Sequence, residues 1–220
     1  MDKRFWLIVT VIVVAFGGVL LLNSKDKEKS LASVTNHVTG NAQSDVTILE
    51  YGDYQCSACG AFFPTVQQVK EKYASTVKFQ FRNLPLVQPH PNAFAAARAA
   101  EAADLQGKFW EMHDLLYENQ DQSGASGWVA SKDPLSDYFA TYAKQLGLNV
   151  ATFKTDFAST TVNDRINADM DAFTATGEQM STPTFFLNGK KIENKDLLDT
   201  QGAPSIDSFS KVIDAALAKK

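Results

Sequence analysis

The sequence predicts an α/β domain with an inserted all-helical subdomain, preceded by one transmembrane helix. Three observations lead to this fold class. Two short runs rich in β-branched residues flank a helical stretch, and strand character returns only near the carboxyl end, after a long helical block. An uncharged apolar run stands ahead of all of these segments.

The first part of the domain has the pattern of a β-α-β unit. Residues 46–51 predict a strand, apolar residues at helical spacing from Phe62 to Tyr73 predict a helix, and residues 77–82 predict a second strand. Pro64 lies inside that helix and is expected to kink it, because proline lacks the backbone N–H. Strands joined by such a crossover helix are expected to be parallel.

The second part of the domain combines helices with a terminal hairpin. Apolar residues at three- and four-residue steps over about residues 92–177 predict the inserted helices, one of which begins at Asp133 and Pro134. Residues 184–187 predict a strand, and Asn188-Gly189 predicts a tight turn into a partner strand at 190–193. Ser205 is then expected to cap a last helix. Neither half has enough strands for a stable sheet, so residues 45–220 are predicted to form one domain.

The amino-terminal region predicts a membrane anchor over residues 1–23, with residues 5–22 in the lipid bilayer. That run carries no charge, and a bilayer core takes roughly 17–25 apolar residues. A cleaved signal peptide is the alternative, but the residues after the run lack the small-residue pattern of a cleavage site. Residues 24–44 are polar and poor in large apolar groups, so they are predicted to form a flexible tether.

The charge of the chain argues against a nucleic-acid partner. The formal net charge is −4, and lysines and arginines form no cluster that could neutralise a row of phosphates. Lysines on the two sides of the apolar run are nearly balanced, so the orientation in the membrane has to be inferred from the function of the domain.

The two cysteines of the chain, Cys56 and Cys59, stand where the first predicted strand meets the helix. A zinc site would need further ligands, and His37, His90 and His113 are not spaced as its partners. A structural disulfide closing so short a loop would remove little entropy from the unfolded chain. A redox pair explains the position, because a helix N-terminus stabilises a thiolate and a cysteine three residues later lies on the same face. We therefore predict an exposed nucleophile at Cys56, a more buried resolving cysteine at Cys59, no metal and no cofactor.

Several motifs together resemble the DsbA-like branch of the thioredoxin superfamily, most of all its membrane-tethered bacterial members. They are the C-x-x-C sequence at the head of a proline-containing helix, Ser181-Thr182-Pro183-Thr184 ahead of the hairpin, Arg82-Asn83-Leu84-Pro85-Leu86 followed by His90-Pro91, and Gly107-Lys108-Phe109-Trp110. The resemblance covers about residues 45–220 and implies a thioredoxin-like fold.

The resemblance also implies roles for residues outside the cysteine pair. Pro183 would be a cis-proline beside the cysteines, and Thr182 would pair through its backbone with an extended substrate and touch the Cys56 sulfur. Glu50 would be a buried acid that relays protons to Cys59, the alternative being a solvent-exposed strand residue.

The residues between the cysteines, Ser57 and Ala58, are expected to contact the substrate. Strong oxidants of the family carry Pro-His at these positions, so the direction of electron flow stays open. His90 and His113 are expected to be a hydrogen-bonded loop residue and a helix-packing residue rather than catalytic groups. Phe109-Trp110 is expected to belong to the core rather than to a substrate groove.

The function that the resemblance implies is a membrane-anchored thiol–disulfide oxidoreductase that introduces disulfides into exported proteins. The catalytic domain would lie on the extracytoplasmic side of the cell membrane, because an oxidase in a reducing cytoplasm would be idle. A quinone-linked membrane protein would reoxidise the pair. The alternatives are a disulfide reductase or isomerase of the same fold, or a non-catalytic tethered domain that binds extended peptides.

Overall fold

A computed structural model of the protein describes residues 33–121 and 123–219. The predicted membrane anchor at residues 1–23 lies outside these ranges. Within them, no helix combines the length and the apolar character needed to cross a bilayer.

The described part of the chain contains a five-stranded mixed sheet in the order β1-β3-β2-β4-β5. Its strands are β1 (His37–Gly40), β2 (Thr47–Gly52), β3 (Lys78–Asn83), β4 (Thr184–Leu187) and β5 (Lys190–Ile192). Strands β2 and β3 are parallel, as the β-α-β pattern predicts, and the other three pairs are antiparallel. Strand β2 from the first part of the domain thus pairs with β4 from its last part at the centre of the sheet.

The helices follow the predicted order. They are α1 (Ser57–Lys72), α2 (Ala93–Asp104), α3 (Phe109–Glu118), α4 (Gly127–Ala130), α5 (Ala140–Gln145), α6 (Val150–Phe157), α7 (Thr160–Thr174) and α8 (Ile206–Leu217), with a π-helical turn at Leu135–Phe139 and a 3₁₀ turn at Asn194–Leu197. Helices α2 to α7 form the insertion between β3 and β4. Its aromatic core joins the sheet through Phe81, which packs in the same cluster as Phe109.

The sheet has a helical layer on each face. Helices α1 and α8 cover one face, where Phe62 and Phe209 pack on Phe185. On the other face, Phe173 of α7 packs edge-on against Tyr51. Side chains alternate between the faces along a strand, so Glu50 lies on the α1 face with Ile48 while Tyr51 lies on the opposite face.

The first strand of the sheet lies within the segment that is predicted to be a flexible tether, so that prediction is wrong for residues 37–40. Residues 24–32 of the predicted tether lie outside the described ranges. Residues 24–44 are predicted to be flexible and the domain to begin at Asp45, whereas β1 pairs with β3 from His37↔Phe81 to Gly40↔Lys78. Thr35 and His37 are buried, the former against Asp169 and the latter against Glu101. The composition of residues 33–44 is polar because these buried side chains are satisfied by distant carboxylates rather than by apolar packing.

The local turn and capping predictions are observed. Asn188 (φ 50°) and Gly189 (φ 78°) both have positive φ, as a two-residue type I′ hairpin turn requires. The Ser205 hydroxyl accepts a hydrogen bond from the Ser208 N–H at the start of α8. These short-range features fix the connection from β4 to β5 and the start of α8.

Candidate active site

Cys56 occupies the N-cap position of α1, directly after a tight turn that leaves β2. Its N–H donates to the Asp53 carbonyl at 3.1 Å, and the side chain is 8 % exposed. The turn begins at Gly52, where a Cβ atom would stand 2.4 Å from the Phe81 ring, so no larger residue fits there. Strand end, turn and helix start together place the Cys56 sulfur 3.5 Å from the Thr182 carbonyl.

The pKa of the Cys56 thiol is lowered from 9.0 to about 5. The largest cause is a hydrogen bond from Cys59, and burial of Cys56 opposes it. The side chain of Thr182 and the N–H groups of Ala58 and Cys59, in the first turn of α1, also stabilise the thiolate. Reduced Cys56 is therefore an anion at neutral pH.

Cys59 has the opposite character. It is 1 % exposed, and burial raises its pKa well above 9.0, as do the hydrogen bond and the negative charge of Cys56 and the charge of Glu50. Both cysteines are free thiols in this structure. The prediction of an exposed Cys56 is wrong, since Cys56 is also buried, but Cys59 is the more buried of the two, as expected. The pair is thus a thiolate of lowered pKa and a thiol of raised pKa, which is the asymmetry expected of a nucleophile and a resolving cysteine.

Glu50 is a buried carboxyl on the central strand, 9 % exposed, so the alternative of a solvent-exposed strand residue is wrong. Burial raises its pKa from 4.5 to about 7, and the ammonium of Lys70 partly opposes this shift. With Lys70 and His113 it lines a cavity of about 20 Å³, roughly the room that one water molecule needs. A carboxyl with a pKa near neutrality can both donate and accept a proton at physiological pH.

The loop ahead of β4 lies against Cys56. The Thr182-Pro183 peptide bond is cis, and the Cys56 thiol donates to the Thr182 carbonyl at 3.5 Å. The Asn194 side chain donates to the Pro183 carbonyl at 2.8 Å and so holds the loop. The Thr182 hydroxyl is buried without a hydrogen-bond partner while Cys56 is a thiol, and it stabilises the Cys56 thiolate once the proton leaves.

Asp53 is a residue of the site that the sequence analysis did not single out. Its carboxylate, which is buried, accepts hydrogen bonds from the N–H groups of Gln55 at 2.7 Å and Leu86 at 2.8 Å. It also lies 2.7 Å from Nδ1 of His90, which is therefore a hydrogen-bonded loop residue as predicted. Asp53 connects the turn before Cys56 to the loop after β3.

Gln120, two residues after the end of α3, is a second residue of the site that the sequence analysis did not single out. Its amide donates to the carbonyl oxygens of Tyr54 at 2.6 Å and Cys56 at 2.9 Å. The insertion thus holds the active-site turn from outside the sheet. No local pattern marks a glutamine for this role, since its acceptors lie 64 and 66 residues away.

The remaining aromatic and histidine predictions concern the insertion. Phe109 is buried and stacks on His37 with ring centroids 3.4 Å apart, and Trp110 is half-buried beside it. His113 is buried inside α3, where burial lowers its pKa to about 4 despite its contact with Asp114. These side chains belong to the core, as expected.

The sequence model of the family described as thioredoxin matches residues 32–215. The chain belongs to the thioredoxin family. The match begins ahead of β1, in agreement with the corrected start of the domain.

This thioredoxin-family chain matches one part of several much longer curated proteins. It is 37% identical over 175 residues to a Na⁺/H⁺ antiporter NhaA 3 from Salinispora tropica, and 35% identical over 183 residues to a Na⁺/H⁺ antiporter NhaA 1 from Salinispora arenicola. About 80% of the chain takes part in the first match, yet it spans only 25% of that relative.

Solved structures similar to this thioredoxin-family domain include known oxidoreductases. A thioredoxin-like oxidoreductase from Silicibacter pomeroyi has 25% identity and a TM-score of 0.65, with 83% of this chain and 92% of that chain covered. BdbD from Bacillus subtilis has 26% identity and a TM-score of 0.65, with 86% and 98% covered. Alpha-DsbA1 from Wolbachia pipientis, at 19% identity, has the same fold with a TM-score of 0.64 over 84% and 92% of the chains.

The domain thus has the thioredoxin-family fold, which it shares with a thioredoxin-like oxidoreductase. The predicted residues Glu50, Cys56, Cys59, Thr182 and Pro183 lie together at one end of the sheet, where β2, α1 and the loop before β4 meet. Ser57 and Ala58 are exposed in the first turn of α1 beside them.

Proposed function

We propose that this protein donates disulfides to exported proteins through a Cys56–Cys59 disulfide. The observation that carries the proposal is the difference between the two thiols, since the pKa of Cys56 is lowered to about 5 and the pKa of the more deeply buried Cys59 is raised. A disulfide whose reduced form contains a stabilised thiolate is a stronger oxidant, because stabilising the reduced form favours accepting electrons.

The first step is attack by a substrate thiolate on the sulfur of Cys56 in the oxidised pair. The Cys56–Cys59 bond breaks, a substrate–Cys56 disulfide forms, and the electron pair leaves on Cys59. Because a thiolate of raised pKa is a poor leaving group, a proton has to reach Cys59. Glu50, with a pKa of about 7 and close enough for its charge to affect Cys59, is the proposed donor.

The second step releases the oxidised substrate. A second substrate thiolate attacks the substrate sulfur of the mixed disulfide, and Cys56 leaves as a thiolate. Its low pKa makes it a good leaving group, which favours release. Two electrons have then passed from two substrate thiols to the Cys56–Cys59 pair, which remains reduced until a partner removes them.

The Thr182 carbonyl is the proposed docking point for the substrate backbone. It faces the Cys56 sulfur at 3.5 Å, and an extended peptide that donates an N–H to it would place its own sulfur beside Cys56. The next carbonyl along the chain, that of Pro183, accepts a hydrogen bond from Asn194 at 2.8 Å, which ties the loop to the residues after β5.

We further propose that residues 5–22 anchor the protein in the cell membrane with the catalytic domain on the extracytoplasmic side. The uncharged run supports an anchor, and a disulfide donor needs an oxidising compartment. A quinone-linked membrane protein would reoxidise the pair there.

A reporter enzyme that is active only outside the cytoplasm should be active when fused after Lys220, and the fusion should stay with membranes after a high-salt wash. Activity on the cytoplasmic side would overturn this location.

The direction of electron flow is tested by the reduction potential of the pair. The chain is equilibrated with mixtures of reduced and oxidised glutathione, and free thiols are then alkylated and counted. A disulfide donor should be reduced by mixtures in which glutathione is mostly oxidised, giving a potential above the roughly −270 mV of the reductase thioredoxin. A potential as low as that of thioredoxin would identify a reductase instead.

A further inference from the structure

An open cleft of about 790 Å³ adjoins Cys56 on the side of the insertion. Gln55 and Ser57, the residues on either side of Cys56, both line it, and its far wall is the loop around Ser131 and Lys132. Thr182, the proposed docking point, does not line it. A substrate bonded to the Cys56 sulfur would therefore have the Thr182 loop on one side and this cleft on the other.

Hydrogen bonds hold the floor of the cleft. The Asn92 amide donates to the carbonyl oxygens of Trp128, Val129 and Ser131 at 2.9–3.1 Å. Gln55 accepts from the Asn92 N–H at 2.6 Å and donates to the Val129 carbonyl at 3.2 Å. The wall formed by the insertion is thus tied to the residue that precedes Cys56.

The walls of the cleft carry polar side chains with free bonding capacity. In the part of the chain that the structure describes, the ammonium of Lys132 and the hydroxyl of Ser57 have no hydrogen-bond or ion-pair partner. Nδ1 of His90 is held by Asp53, which leaves Nε2 as the free nitrogen of the ring. These groups are exposed or half-exposed, so a ligand can reach them.

The acidic group of the cleft, Asp121, is already engaged. One of its carboxylate oxygens accepts from the N–H and hydroxyl of Ser123 at 2.9 and 2.6 Å, and the other accepts from Ser126 at 2.7 Å. Its charge weakens any long-range attraction of anions to the cleft. The ammonium of Lys132 donates no hydrogen bond to a described residue. Selectivity of the cleft for an anion therefore has to come from a direct hydrogen bond between Lys132 and the ligand.

We propose that this cleft is a second substrate subsite, which takes an acidic side chain from a residue one or two positions from the substrate cysteine. The proposal rests on the proposed function, since it concerns the peptide held by Cys56. One residue of extended chain spans about 3.3–3.6 Å, so the residues next to the substrate cysteine would lie at the cleft that Ser57 and Lys132 both line. Lys132 and Ser57 would donate to the carboxylate, and the fixed His90 ring would shape the wall.

The test compares peptides that contain two cysteines and differ only in the residue that follows the first cysteine, which is Asp, Asn, Leu or Lys. The oxidised full chain in detergent is mixed with each reduced peptide, and the second-order rate constant of oxidation is measured. The Asp peptide should react about threefold faster than the Leu peptide, the size expected of one exposed charge-assisted contact, and the Lys peptide should be slowest. Equal rates for the Asp and Leu peptides would overturn the proposal.

Two variants separate the cleft from general effects of charge. Lys132→Gln should abolish most of the ratio between the Asp and Leu peptides. Lys211→Gln removes an exposed lysine on α8 that does not line the cleft, and it should leave that ratio unchanged. The proposal is wrong if both variants change the ratio equally. Oxidation of dithiothreitol by the unaltered chain tests the proposed function alone, because that small dithiol has no side chain to enter the cleft.

Discussion

The domain contains two buried polar clusters that differ in how well their groups are paired. The cysteine site comprises Glu50, Cys56, Cys59 and Thr182. The Glu101 network comprises Thr35, His37, Asn83, Glu101, Asp104, Arg165 and Asp169. Both lie beside β2 or β3 and both connect the sheet to helices, so their position in the fold does not explain why only one of them is reactive.

In the Glu101 network the carboxylates are saturated. Glu101 accepts from His37 at 2.7 Å, Asn83 at 2.7 Å and Arg165 at 3.2 Å. Asp169 accepts from the N–H and hydroxyl of Thr35 at 2.8 and 2.7 Å and from the Asn83 N–H at 3.0 Å. A buried network of this kind holds structure together, because its carboxylates accept hydrogen bonds from several segments of the chain, and the one buried polar atom of the network without a partner among the described residues is Asn83 Oδ1.

In the cysteine site the polar groups are left short of partners. Burial raises the pKa of Glu50, and the positive charge of Lys70 opposes that rise only in part. The hydroxyl of Thr182 is buried without a hydrogen-bond partner. The hydroxyls of Tyr54 and Tyr117 nearby are unpaired as well. Such unpaired groups destabilise the fold, and Glu50 is the one among them whose pKa lies near neutrality, so that it can change protonation state at physiological pH. The two clusters therefore differ in how many of their buried polar groups lack a partner, and more unpaired groups are found at the cysteine site, where the chemistry takes place.

The largest expected effect concerns the Cys56 thiolate. Its pKa falls from 9.0 in the unfolded chain to about 5 in the folded chain, so its stabilisation is fully present above pH 9 and is lost as the pH falls through 5. The free energy of unfolding of the reduced protein, minus that of the oxidised protein, should rise by up to about 5 kcal/mol between pH 5 and 9. Urea unfolding of both forms across this range measures it. A difference independent of pH would mean that Cys56 is not a stabilised thiolate.

The Glu101 network should respond strongly to the loss of one partner. Glu101→Ala removes a buried carboxylate that accepts from His37, Asn83 and Arg165, and it leaves Asp104 as the acidic partner of both cations. It should therefore lower the free energy of unfolding by about 3 kcal/mol. Glu101→Gln keeps the shape and some hydrogen bonds, and it should be less damaging. Urea unfolding of the oxidised protein compares the two variants. Glu101→Ala with nearly native stability would show that the network is not structural.

The same network should titrate in the opposite direction to Cys56. Burial lowers the pKa of His37, but hydrogen bonds to Asp104 and Glu101 outweigh burial and raise it from 6.5 to about 9. This stabilisation is complete below pH 6.5 and is lost as the pH rises through 9, a change on the order of 3 kcal/mol. In the oxidised protein His37→Gln should flatten the fall in stability between pH 6.5 and 9.5. A slope that survives the substitution would exclude His37 as its source.

Glu50 should show that an unpaired group destabilises the fold. Its pKa is raised from 4.5 to about 7, so the folded state is penalised as the pH rises through this range and fully above 7. Glu50→Gln should therefore stabilise the protein at pH 8 by about 1–3 kcal/mol, less whatever the buried amide costs. The same variant should slow substrate oxidation if Glu50 protonates Cys59. A variant that is both less stable at pH 8 and fully active would contradict both roles.

The smallest expected effect concerns the hydroxyl of Thr182. Thr182→Val keeps the shape of the side chain but removes a group that stabilises the thiolate, so the pKa of Cys56 should rise by about one unit with little change in stability. Ultraviolet absorbance of the thiolate as a function of pH measures this. Thr155→Val, which removes an exposed hydroxyl on α6, is the matched control and should leave the titration unchanged. An unshifted titration in Thr182→Val would assign the low pKa to Cys59 and the helix alone.

The sequence by itself determined the order of strands and helices from β2 onward, the parallel β-α-β unit, the hairpin turn and the position of the cysteine pair at the start of α1. These features depend on residues close together in the chain, through side-chain periodicity, turn chemistry and capping. The cysteine pair and the proline loop could be recognised because each is a short motif whose own residues do the chemistry.

Only the tertiary structure decided which polar residues are buried and what they contact. Thr35 is buried and His37 lies in the sheet, and the carboxylates that they contact lie 134 and 64 residues further along the chain, which no local pattern encodes. The burial of Glu50 depends on α1 covering one face of β2, and the parts played by Asp53 and Gln120 depend on the loop and helix that pack beside Cys56. A polar side chain has the same appearance in the sequence whether water or a distant partner satisfies it, and folding alone brings that partner within reach.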